Sequence, residues 1–345
     1  MRRGSWTRSA VALFALALGA CGGDDDTNDG AGADAGEPVA WTMIHQEPSA
    51  ALLAVWAGGD DIWAVGSRTA TDAGPLVLHF DGAAWETLDT GLTAVDLWWV
   101  YGFEGGPVFL GGSNGTILRY QDGSFENFET PGNGIVFGIW GASASDLWAV
   151  GGRFNGGGGF AWRFDGSTWT EATVPEDIAA EAGLLKVAGR SPDDVWMVGG
   201  NGAALHWNGS ELERADVEVD APLFSVAATA ERAIAVGGVL GQPLIFEHDG
   251  ATWTDLSPPT NVPRPRGVAA TDDVALAVCE SGIVVERGED GAWAATLTEV
   301  TQEDLHGVWI TEDGGIIAVG GKFGDTPLRD GVLITRGIDI PEVSP

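Results

Sequence analysis

One short sequence recurs along this chain, and only an architecture that itself repeats can accommodate it. Asp61–Gly66, Asp146–Gly151 and Asp194–Gly199 read DIWAVG, DLWAVG and DVWMVG. Weaker copies are VFLG at Val108–Gly111, AIAVG at Ala233–Gly237, VALAV at Val274–Val278 and IIAVG at Ile316–Gly320. A second apolar run precedes each copy, anchored at Val55, Val100, Ile139, Val187, Val226, Val268 and Val308. A third stretch follows and ends in a turn, as in Leu76–Phe80 before Asp81-Gly82 and Ala161–Phe164 before Asp165-Gly166. A fourth stretch is led by Trp85, Trp169, Trp253 or Trp293, with Phe125 and Leu212 standing in at two copies.

Each unit thus holds four short apolar stretches separated by Gly and Asp turns. Asp-Gly ahead of a Trp-led run is a strong hairpin signal, because glycine accepts the positive φ of a tight turn. Helix-period segments are nearly absent. Four strands per unit of this length give an all-β chain, a seven-bladed β-propeller of four-stranded blades. The seventh unit stops after its third strand, Val332–Thr335, while Trp41–Ile44 reads as a fourth strand without a unit. The N-terminal strand is therefore expected to complete the last blade and close the ring. Degenerate copies leave six or eight blades open.

The first residues read as an address. Arg2, Arg3 and Arg8 precede the apolar run Ala10–Ala20, which is short for a permanent membrane helix. The run ends in Leu18-Gly19-Ala20-Cys21, which resembles the lipobox of bacterial lipoproteins. The resemblance implies a signal peptide over 1–20, cleavage before Cys21 and lipidation of its sulfur. Residues 21–38 are Gly, Asp and Ala with no large apolar side chain before the propeller domain of 39–345, and read as a flexible acidic tether. Lipidation of Cys21 would leave Cys279 without a disulfide partner; it is expected to be a buried, inert thiol. A net charge of −33 excludes nucleic acid and anionic headgroups as partners of the body of the chain.

The pattern Val-Trp-Gly, Asp-x-Trp-Ala-Val-Gly and Asp-Gly-x-x-Trp over residues 41–340 resembles the propeller lipoproteins common in myxobacteria, and more loosely the BNR and WD-repeat-like propellers. That resemblance specifies fold rather than activity. The turns Asp165–Trp169 and Asp249–Trp253 resemble the Asp-box of sialidases, with the Asp four residues before the Trp instead of five. A sialidase also needs a tyrosine nucleophile with an acidic partner. Of the two tyrosines, Tyr101 takes the place of a core Trp and Tyr120 lies late in a third strand. His79, His206 and Arg163 occupy one repeated position, so they read as scaffold and not as metal ligands. The aspartates Asp61, Asp146 and Asp194 are expected to accept from nearby backbone N–H groups, and Trp63, Trp148 and Trp196 to be inter-blade core. No catalytic residue, metal site or cofactor is assigned.

What differs between copies is the loops. Second-to-third loops such as Ser67–Pro75, Gly152–Gly159 and Gly321–Pro327 vary, as do fourth-to-first loops such as Pro175–Gly183 and Pro258–Arg266. Strand alternation puts both sets on one face, and variable loops on a rigid scaffold are where binding usually lives. That face carries Arg68, Arg153, Arg264, Arg266 and Lys322, with the basic-Phe pairs Arg153-Phe154 and Lys322-Phe323. These seven residues form the candidate binding face. The expected function is a protein-binding or scaffold module at the cell envelope, monomeric and held to the outer membrane or cell surface by its lipid alone. The alternative is a propeller that binds or hydrolyses surface glycans. Carboxylates clustered with an exposed Trp or Tyr at the central mouth would favour the alternative.

Overall fold

The computed structural model describes residues 39–344 except 71–72, 155 and 325–326. The lipidation motif and the tether lie outside the described residues. Seven antiparallel four-stranded sheets follow one another along the chain. The first blade holds Leu52–Gly58, Asp61–Arg68, Pro75–Asp81 and Trp85–Thr87, paired in that order. The first strands of successive blades touch one another round the axis, and Leu52–Gly58 closes the circle against Asp304–Ile310. The last sheet pairs Asp304–Ile310, Ile316–Lys322 and Arg329–Arg336 with Trp41–Glu47 on its outer edge. Trp41 lies opposite Arg336 and Glu47 opposite Gly331. The chain's first strand thus supplies the last blade's missing one, and the seven units form a closed ring.

Blade cores interdigitate. Trp63, Trp148 and Trp196 are buried between their own blade and the next. Cys279 is buried, and the low-polarity surroundings push its thiol pKa up. The turn aspartates Asp81, Asp165 and Asp249 each accept from the backbone N–H groups two and three residues on, which fixes the Asp-Gly turns.

The strand aspartates correct the sequence reading. Asp61 accepts from the Trp63 indole at 2.9 Å and pairs with His79 Nε2 at 2.7 Å. Asp194 pairs with His206 at 2.9 Å, and Asp146 with Arg163 at 3.2 Å. Their partners are side chains, mostly on the third strand, and not backbone N–H groups. The reason is the strand period: residues two apart share a face, so the Asp reaches the Trp and the third-strand side chain stacked on it. His79 stacks on Trp63 with ring centres 4.3 Å apart, and His206 on Trp196 at 4.1 Å.

The Val-Gly glycine has a specific task. A Cβ at Gly66 would lie 2.1 Å from the Ala51 carbonyl oxygen, and one at Gly199 would lie 2.0 Å from that of Gly183. Those carbonyls accept from the residue after each glycine, Ser67 and Gly200, at 2.9 Å. Register puts Gly112 in this place in the second blade, one residue beyond the copy quoted above, and Cys279 in the sixth. Immediately beyond it the pairing of first and second strands slips in all seven blades. The residues stepped over are Leu53, Trp98, Phe137, Leu185, Phe224, Arg266 and His306. A bulge re-aims the side chain it skips.

Candidate binding mouth

The seven bulge residues occupy one structural position, two before the apolar anchor of each blade, on the strands nearest the axis. Six of them line a cavity of about 290 Å³ on the variable-loop face: Trp98, Phe137, Leu185, Phe224, Arg266 and His306. Leu53 is fully buried beside Trp98 and Phe137. Loops deliver the rest of the wall. Blades two, four and six join their second and third strands by single tight turns, Ser113–Gly115, Gly200–Gly202 and Glu280–Gly282. Blades three and seven use longer connections, and these bring Phe154, Phe323 and Leu328 to the rim. Trp98 meets Phe137 edge-on at 5.4 Å and Phe154 at 5.7 Å, while His306 lies 4.9 Å from Phe323. Phe154 is 69 % exposed, a large apolar ring held open to solvent at the edge of an apolar cup.

Basic groups sit inside this cup. Lys186, on the inner strand of blade four, is 5 % exposed. Its ammonium donates to the Phe137 carbonyl of blade three at 2.8 Å and lies 4.0 Å from the Trp99 ring centre of blade two. Burial pulls its pKa down to about 7. His306 Nδ1 donates to the Leu53 carbonyl at 2.7 Å, which leaves Nε2 as the acceptor in the neutral ring. Burial, and then the charges of Lys186 and Arg266, push its pKa down to about 3. Arg266 lies over the Phe224 ring at 4.6 Å. Among the described residues no carboxylate lines the cup.

The sequence-derived face divides on the structure. Phe154, Arg266 and Phe323 converge on the mouth. Arg68 is bound to the neighbouring blade through Asp96 and the Ala94 carbonyl. Arg264 and Arg266 share Glu280, the latter at 2.7 Å. Burial raises the Glu280 pKa, but the two guanidiniums outweigh it and hold the carboxyl below its usual range. Lys322 pairs with Asp330 at 2.7 Å. Arg153 is exposed, with no ion pair among the described residues. Most of the basic loop charge is therefore neutralised locally. Trp98, Phe137, Leu185, Lys186, Phe224 and His306 were missed, although one signal marks the bulge residues: their position differs in almost every copy of an otherwise regular strand.

Two other hollows are built differently. At the opposite end of the axis a cavity of about 180 Å³ is lined by Trp99, Tyr101, Trp140 and Trp309. Trp99 there donates to the Ile139 carbonyl at 2.7 Å and Tyr101 to that of Gly141 at 3.0 Å, both in the next blade. Their polar atoms are spent on joining blades. A wide groove of about 650 Å³ between blades four and five is larger but open, and its floor is the repeated Trp196–His206 stack.

The fold is a seven-bladed β-propeller with an apolar, basic-lined cavity on its axis. Neither a protein-family model nor a curated protein sequence matches the chain. Among solved structures it is similar to a streptogramin B lyase, with a TM-score of 0.71 at 13 % identity over 88 % of this chain and 98 % of that one. It is also similar to a catalytically inactive histidine-to-alanine variant of virginiamycin B lyase from Staphylococcus aureus with quinupristin, with a TM-score of 0.69 at 12 % identity over 86 % and 100 %. A third is YCF48 bound to D1 peptide, with a TM-score of 0.64 at 16 % identity over 88 % and 96 %. At such identities the likeness is one of fold.

Proposed function

We propose that this chain is an extracytoplasmic recognition propeller, monomeric and lipid-anchored through Cys21 at the cell envelope, on the outer membrane or cell surface. It grips a protein partner at the variable-loop mouth. The observation that carries this reading is the cup itself. Repeated bulges and two long loops converge on one axial cavity whose walls are apolar and whose charged groups are basic, in a chain of net charge −33. A rigid ring with an exposed aromatic rim has the make-up of a binding anchor. A likeness in fold to YCF48 bound to D1 peptide is in keeping with a protein ligand.

The glycan-hydrolase alternative calls for paired carboxylates at the mouth, and none lines it among the described residues. Capture from envelope extracts tests the proposal. A Phe154→Ser/Phe323→Ser double variant should lose the partners that wild type retains; an unchanged partner set would overturn it. For the anchor, metabolic labelling with a fatty-acid analogue should be lost in Cys21→Ser.

A further inference from the structure

Lys186 is a buried ammonium with no anion beside it among the described residues. Its ammonium has three N–H donors, and the structure gives it one oxygen acceptor, the Phe137 carbonyl, and one ring face, Trp99. Its titratable neighbour His306 feels the Lys186 charge and is itself held neutral, so it offers no counter-charge. Arg266, the guanidinium in the cup wall, is itself paired with Glu280, which Arg264 shares. A buried charge without a counter-ion is unfavourable, and a methionine would fill the same space without it. The remaining walls are aromatic and aliphatic.

We infer that the cup takes a carboxylate attached to an apolar group, the carboxylate supplying the counter-charge that Lys186 lacks and the apolar group packing against Trp98, Phe137 and Phe224. This deepens the reading of the mouth as a binding site and rests on it. A single ammonium inside an apolar wall matches a monoanion with an apolar body better than a phosphate, which needs more donors. A cavity of about 290 Å³ holds one large side chain with its carboxylate and little more. Two sources share that chemistry, a free carboxylic acid and the C-terminus of a protein chain ending in an apolar residue. Binding a carboxylate there favours the protonated amine, whose pKa burial has lowered to about 7, so binding above neutrality takes up a proton.

Calorimetric titration of the full chain at pH 8 tests this with 4-phenylbutyrate and its amide, and with acetyl-Ala-Ala-Phe as free acid and as amide. Running each in two buffers of different ionisation enthalpy measures proton uptake. At least one acid should bind about tenfold or more tightly than its amide, with uptake of up to one proton. Lys186→Met, checked for a cooperative melt, should abolish both the preference and the uptake. Binding of 4-phenylbutyrate alone assigns the free acid, and binding of the peptide acid assigns a chain terminus. Equal binding of acids and amides, no binding of any probe, or proton uptake that survives in Lys186→Met would overturn the inference. Should these fail while the Phe154/Phe323 variant still loses its partners, the mouth stands as a binding site and only its ligand chemistry falls.

Discussion

Two rings of residues lie side by side, one on the second strands of the blades and one on the first, and follow opposite rules. The first is the glycine ring: Gly66 and its counterparts, one per blade with Cys279 as the exception, each pressed against a carbonyl of the adjoining strand. The second is the bulge ring, where seven blades place Leu, Trp, Phe, Leu, Phe, Arg and His at one position. The glycine ring repeats because every blade must make the same close approach. The bulge ring varies because its side chains point at something other than the blade. His306 belongs to it and Lys186 adjoins it, and burial opposes the charged form of both. Groups that weigh against stability on a rigid scaffold are expected where a protein binds, not where it merely holds together.

Four experiments break or sharpen that contrast. Gly199→Val forces a Cβ toward the Gly183 carbonyl and should lower stability by about 3 kcal/mol or more, read by denaturant unfolding; a neutral result would remove the glycine ring's structural role. Lys186→Met should work the other way. The folded-state pKa of about 7 lies below the ordinary lysine value of 10.5, so the lysine's share of stability is complete above pH 10.5 and falls away as pH drops toward 7. The variant should therefore be more stable at pH 7 by on the order of 2 kcal/mol, with the gain shrinking at pH 9. Loss of stability at pH 7 would identify Lys186 as a structural plug.

His306 has the same sign in a lower window. Its folded pKa of about 3 lies below 6.5, so stability is full above pH 6.5 and lost as pH falls toward 3. Between pH 6.5 and 5.5, His306→Leu should flatten the wild-type decline by on the order of 1 kcal/mol, measured as melting temperature against pH. The smallest effect on folding belongs to Phe154→Ala. Its ring is exposed, so stability should stay within about 0.5 kcal/mol, while partner capture weakens. A fall in stability without loss of capture would make Phe154 a lid over Trp98 and not a contact for a ligand.

The blades are legible in the sequence because each is built from local rules. Alternation, an Asp-Gly turn and a Val-Gly terminus are short-range signals, and seven copies reinforce them. Even the closing strand could be read, since Trp41–Ile44 carries the fourth-strand pattern and the last unit lacks one. The site was legible only in part. Phe154, Arg266 and Phe323 were found through their loops, whereas Arg68, Arg264 and Lys322 drew attention as charges that carboxylates in fact engage. Those pairings join Arg68 to Asp96 and Arg264 to Glu280, which no sequence spacing reveals.

By itself, then, the sequence determined the all-β repeat, the shared last blade and the face on which the copies differ, and pointed to seven units that the sheet topology then counted. Local backbone chemistry decides those things, and it is written in neighbouring residues. Only the tertiary structure decided which differences meet. Lys186, Phe137 and Trp99 belong to three blades, and His306 and Leu53 to the last and the first. Their meeting depends on a bulge that turns one residue per blade toward the axis and on a ring that closes, and both arise from pairing across the fold.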